Sequence, residues 1–129
     1  MLKKRFGSGL VFAACLCAAP GSPAVERINF EIRDARDLAT VCRTPASDPH
    51  YTAAIHFCEG FMVGAYRYYL ATMKGPDAKP FVCLPEPTPS RDGIVADFSE
   101  WMTSHTQYNG DPAVDVLFRF AEEKFPCKG

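Results

Sequence analysis

A chain of 129 residues holds one domain. A composition 47% hydrophobic and 22% charged excludes a disordered or collagen-like chain, and a net charge of −1 leaves no electrostatic footprint for nucleic acid. The charges are uneven, however: Lys3, Lys4 and Arg5 crowd the first five residues and an apolar run follows.

Residues 1–24 read as a secretory signal peptide. Lys3, Lys4 and Arg5 form its basic start, Leu10 to Ala19 its apolar middle, and Pro20-Gly21 its break. Ser22-Pro23-Ala24 supplies small residues for cleavage. The apolar run is half what a membrane-spanning helix needs. Cys15 and Cys17 lie in the apolar run with poor surroundings for lipidation, Phe12 three places before one and Leu16 directly before the other. Cleavage after Ala24 leaves residues 25–129 as a single domain: 105 residues, 11 basic and 15 acidic, net −4. Export sends this domain to the periplasm.

Ile28, Phe30 and Ile32 alternate with polar neighbours, the pattern of a short strand or extended arm. Asp34 or Asp37 then caps a short helix carrying Leu38, Val41 and Cys42, which Thr44-Pro45 ends. Asp48-Pro49 predicts the start of a second helix, with Asp48 as its cap, running from His50 to Met73. That helix is apolar nearly all round, which predicts burial at the centre of the domain. Gly60 and Gly64 cost it helix propensity, so a second helix is expected to approach closely there. Gly75-Pro76-Asp77 breaks it. Lys74 to Ser90 is a proline-rich loop whose apolar middle, Phe81-Val82-Cys83-Leu84, should be pinned to the core. Ser90 caps a third helix with Ile94, Phe98, Trp101 and His105 on one stripe. Tyr108-Asn109-Gly110 ends it, and Asp111-Pro112 opens a fourth with Val114, Leu117, Phe118, Ala121 and Phe125 on its apolar face. The class is therefore all-α: a small four-helix domain with a long proline-rich loop.

Four cysteines remain after export, an even set that predicts two disulfides. Zinc would prefer close pairs, and the spacings here are 16, 25 and 44, so no metal is expected. A short turn makes the third and fourth helices antiparallel neighbours, which brings Cys83 near Cys127 and leaves Cys42 for Cys58. Cys42–Cys83 with Cys58–Cys127 is the alternative.

Catalytic motifs are missing from the sequence: no nucleophile elbow, no H-E-x-x-H, no phosphate loop, no dinucleotide fingerprint. His50, His56 and His105 are scattered. Glu59, a carboxylate in the most apolar helix, reads as that helix's solvent edge. Asp34, Asp37, Glu122 and Glu123 read as solvated charges. No cofactor or catalysis is expected. Gln107, Tyr108 and Asn109, in the turn between the last two helices, are the candidate partner-binding residues, because the turn joins two rigid helices and carries interface residue types.

One family joins these features. Asp37-Leu38 with Cys42, Phe57-Cys58-Glu59-Gly60-Phe61 with Gly64, Cys83-Leu84-Pro85 before a helix, and Phe125-Pro126-Cys127 at the end stand in an order that resembles the Tai-type (Rap/Tai) immunity protein family. The resemblance covers the mature chain. It implies a small helical periplasmic domain without catalysis. Such a domain binds a peptidoglycan amidase toxin of the type VI secretion system, blocks its active-site groove, and is often a homodimer. Other readings are an acid-stress periplasmic chaperone of similar size, another non-catalytic periplasmic binding domain, or a hydrolase using Glu59 or a histidine.

Overall fold

The computed structural model describes residues 24–128. Residues 1–23 of the expected signal segment, both of its cysteines among them, lie outside those residues. Four helices carry the described chain: α1 (Ala35–Cys42), α2 (Tyr51–Thr72), α3 (Arg91–Ser104) and α4 (Ala113–Lys124). None of them is long and apolar enough to cross a membrane. The only β pairing among the described residues is one antiparallel bridge, Val82 with Pro126.

The shortest helix lies at the centre. α1 packs against α2, α3 and α4 in turn. Ala35, Leu38, Ala39, Val41 and Cys42 are all buried. Its start is capped twice over. Asp34 is the N-cap and accepts a hydrogen bond from the Asp37 N–H at 3.0 Å. Two further N–H groups of its first turn donate outward, Ala35 to the Asp111 carbonyl (2.9 Å) and Arg36 to the Asn109 carbonyl (3.1 Å). The α3–α4 turn therefore satisfies donors that a helix start leaves without intrahelical partners.

Asp37 departs from its expected solvated role. It is only 3% exposed. Its carboxylate accepts from Arg33 Nε (2.9 Å) and Nη2 (3.1 Å), from the Arg33 backbone N–H (3.1 Å) and from Asn29 Nδ2 (3.0 Å). Burial pushes this carboxyl up, but the hydrogen bonds from Arg33 and Asn29 outweigh it and hold the group below its ordinary value.

The segment carrying Ile28 and Phe30 is a 3₁₀ turn, Arg27–Glu31, and not a strand. The Asn29 side chain closes the turn by accepting from the Glu26 N–H at 2.9 Å. Among the described residues no strand lies alongside to reward extension, and Phe30 meets the Phe57 ring edge-on at 5.4 Å.

α2 also departs from expectation. Only Ala54, Cys58, Met62 and Tyr69 are buried along it. Gly60 and Gly64 are exposed, and a methyl group added at either would meet nothing within 4 Å. No helix among the described residues approaches them. A chain of this size has too few elements to surround a 22-residue helix. α2 begins at Tyr51, three residues after Asp48. Asp48 caps the preceding turn instead, accepting from the His50 N–H at 2.7 Å.

The buried stripes of the last two helices are also displaced from the expected ones. In α3 the buried residues are Val95, Phe98 and Met102, while Ile94, Trp101 and His105 are half-buried. In α4 they are Ala113, Val116, Leu117 and Phe120, while Val114 is exposed. Pro112 stands at the N-cap of α4, one place earlier than expected.

Both expected disulfides are present, Cys42–Cys58 and Cys83–Cys127. The second pins the proline-rich loop to the C-terminal segment. Cys83 N–H donates to the Phe125 carbonyl (2.9 Å) and Cys127 N–H to the Phe81 carbonyl (3.3 Å). The Tyr69 hydroxyl accepts from the Phe81 and Val82 N–H groups at 2.8 and 3.0 Å. Tyr69, Val82 and Phe125 form a small second core around it.

Candidate functional site

The α3–α4 turn is built to be rigid. α3 stops at Ser104, and Thr106–Tyr108 forms a 3₁₀ turn that places Tyr108 beside the end of α3. The Asn109 and Asp111 carbonyls are committed to the start of α1, so the turn is held from both helices and from the core helix. Gln107 is exposed, and Tyr108 and Asn109 are half-buried. Of the three candidate contact residues, Gln107 is the exposed one, while Asn109 spends its carbonyl on the fold.

Four more side chains join Tyr108. The His105 ring stacks on Trp101, centroids 3.8 Å apart and planes within 12°. Trp101 and Tyr108 are also near-parallel, at 9° and 5.9 Å. The Arg119 guanidinium lies over the Tyr108 ring, 5.2 Å from its centre. The Trp101 indole N–H donates to Glu123 at 3.0 Å, which fixes the indole plane. His105 Nδ1 lies 2.7 Å from the Trp101 carbonyl. A carbonyl can only accept, so Nδ1 carries the proton and Nε2 of the neutral ring is an acceptor. These groups line a shallow slot of about 350 Å³ together with Glu122.

Sequence spacing places Trp101 and His105 on one stripe. It gives no sign that Tyr108 and Arg119 join them, because the turn and α4 bring those two residues in. Glu123 is also not simply solvated, since it holds the indole.

A larger cleft of about 440 Å³ runs between α2, the proline-rich loop, α3 and α4. Met62, Tyr66, Leu84, Ile94 and Phe118 form its apolar lining, with Glu59, Arg67, Glu86 and Arg91 among the charged lining residues. The Glu59 side chain is 15% exposed, more sheltered than a solvent edge, and its carboxylate sits 3.5 Å from His56 Nδ1. His56 is itself largely exposed. His50 pairs with Asp48 at 3.3 Å at the other end of the helix start, so the three histidines stay apart. Among the described residues no group of three or more His, Cys, Asp and Glu side chains gathers as a metal site would.

Neither a curated protein nor a solved structure matches the chain. The family model described as Rap1a immunity proteins matches residues 34–127. That span runs from the N-cap of α1 to the last disulfide cysteine, so it takes in all four helices, both disulfides and the stacked turn. The chain belongs to the family of Rap1a immunity proteins.

Proposed function

We propose that this protein is exported through residues 1–24 to the periplasm, where it binds and blocks a peptidoglycan amidase toxin of the type VI secretion system and so protects the cell that makes it. The match to the Rap1a immunity proteins over residues 34–127 carries this reading. The protein acts by occupation of the toxin's groove and has no catalytic step of its own.

The α3–α4 turn is the element that docks, with Gln107, Tyr108 and Asn109 at the contact. Three features support this choice. The turn joins two helices, its backbone is already ordered by α1, and its aromatic rings are already stacked. A partner therefore meets a surface whose ordering entropy was lost in folding, which favours affinity. The net charge of −4 on the mature chain favours a basic partner and speeds encounter with it. A homodimer, which the family resemblance implies, would present two such turns.

The test is co-expression, one at a time, with a panel of type VI peptidoglycan hydrolases of the amidase class, exported to the periplasm of a sensitive host. Cells that lyse with one hydrolase alone and grow when this protein is present support the proposal. Lysis in both cases with every hydrolase, and no complex on gel filtration, rejects it.

A further inference from the structure

We infer that the slot formed by His105, Tyr108 and Arg119 recognises a carboxylate side chain, Asp or Glu, on a surface loop of the toxin. This rests on the immunity reading above and adds the chemistry of the contact.

One face of the Trp101 indole is covered by His105 at 3.8 Å. Its edge-on neighbour is Phe120, and its N–H is spent on Glu123. Tyr108 carries Arg119 over its ring. One face of Trp101 and one of Tyr108 are therefore occupied. The ring edges and polar atoms of the stack remain.

Those atoms form a defined set. Arg119 makes no ion pair among the described residues, although Glu122 and Glu123 lie three and four positions further along α4. Its charge is held over the tyrosine ring instead. A guanidinium fixed in this way keeps its planar fork of N–H donors, the geometry that matches a carboxylate. Tyr108 lines the same slot, and its hydroxyl, which makes no hydrogen bond among the described residues, is a further donor. His105 Nε2 supplies an acceptor, because Nδ1 is committed to the Trp101 carbonyl. Glu122 and Glu123 both line the slot and repel an incoming anion, which biases it toward the Arg119 end. The complement is an acidic side chain flanked by an N–H or O–H that can reach the imidazole. Such a contact combines a charge-assisted hydrogen bond with a pre-stacked Arg and Tyr, residue types that dominate interface energetics.

Trp101 is the chain's only tryptophan and lies inside this stack. The protein carrying 5-fluorotryptophan thus reports the site through one fluorine resonance. The full mature chain is titrated with the purified amidase that it protects against in the co-expression test, and affinities are measured by calorimetry. Docking at the slot shifts that resonance. Arg119→Glu weakens binding by about 100-fold or more, Arg119→Lys by about tenfold, and Tyr108→Phe by about fivefold. Exchanging the contacted toxin acid for lysine restores binding to Arg119→Glu. Circular dichroism melts show whether each variant is folded, and Tyr108→Phe with Arg119→Gln replaces any variant that is not. Wild-type binding with an unmoved resonance, and with Arg119→Glu or Arg119→Gln within about twofold of wild type, overturns this inference and leaves the immunity reading standing. No binding by the wild type overturns both.

Discussion

The two disulfides hold the molecule in opposite ways. Cys42–Cys58 lies in the dry centre, with Cys58 wholly buried and Cys42 nearly so, and it ties the core helix α1 to α2. Cys83–Cys127 lies at the surface, with Cys83 exposed and Cys127 half-buried, and it ties the proline-rich loop to the last residues. Around the first bridge the packing is continuous: Leu38, Val41, Phe98, Met102 and Phe120 share one cluster. Around the second only Tyr69, Val82 and Phe125 are buried. One bridge reinforces a region that apolar burial already organises. The other takes the place of burial that the loop does not have.

The largest predicted effect lies in the first region. Phe98 is fully buried and meets Phe120 edge-on at 5.5 Å, so Phe98→Ala costs about 3–5 kcal/mol. Urea unfolding followed by circular dichroism measures it. A loss below about 1 kcal/mol would mean that the α1-centred core is not the main source of stability.

The next effect separates the bridges. By loop length alone, removing Cys83–Cys127 (separation 44) costs about 4 kcal/mol and removing Cys42–Cys58 (separation 16) about 3. By accessibility, a thiol reductant acting on the folded protein opens Cys83–Cys127 first, because the attacking thiolate must reach a sulfur. Alkylation and mass spectrometry after graded reduction should find Cys83 and Cys127 labelled while Cys42 and Cys58 are still joined. Simultaneous labelling of all four would show that the two regions open as one.

Tyr69 tests how far the loop depends on contacts other than its bridge. Tyr69→Phe leaves the Phe81 and Val82 N–H groups without their acceptor and costs about 1–3 kcal/mol. Hydrogen exchange should speed up at those two amides and stay unchanged in α1.

The acid limb probes the first region's edge. The Asp37 carboxyl is held below its ordinary value, so its contribution is complete above about pH 4 and is lost as pH falls through its lowered folded value. Arg33 is 55% exposed on its side chain, so solvent weakens the pair and its contribution is small. Asp37→Asn should lower the melting temperature at neutral pH and flatten its decline between about pH 4 and 2. A parallel decline in both proteins would place the acid-sensitive group elsewhere.

The sequence revealed the parts of this comparison that depend on local chemistry. Asp34 and Ser90 cap the helices they precede because side-chain oxygens reach N–H groups three residues on. The pairing of Cys83 with Cys127 followed from antiparallel helices joined by a short turn. What the sequence hid depends on how many neighbours each element acquires. α1 is eight residues long and reads as a minor helix, yet three helices converge on it. α2 reads as the buried centre because apolar residues surround its axis, yet too little chain exists to cover it. The stack at the turn was half visible: Trp101 and His105 share a stripe, whereas Tyr108 and Arg119 reach it only through tertiary structure.

The smallest predicted effect is the most sensitive to the placement of α2. Gly60 and Gly64 lie on its exposed side with open space where a Cβ would go. Neither has a left-handed backbone, so alanine fits without strain. Alanine in a helix interior is favoured over glycine by roughly 0.5–1 kcal/mol, because glycine loses more backbone freedom on folding. Gly60→Ala and Gly64→Ala should therefore each stabilise the monomer by about that amount in urea unfolding at low concentration, and the two gains should add. A loss instead would mean that something packs against this face at close range. Repeating the measurement across a hundredfold range of protein concentration then separates the two possibilities. A penalty that grows with concentration comes from a second copy, and one that does not comes from the fold itself.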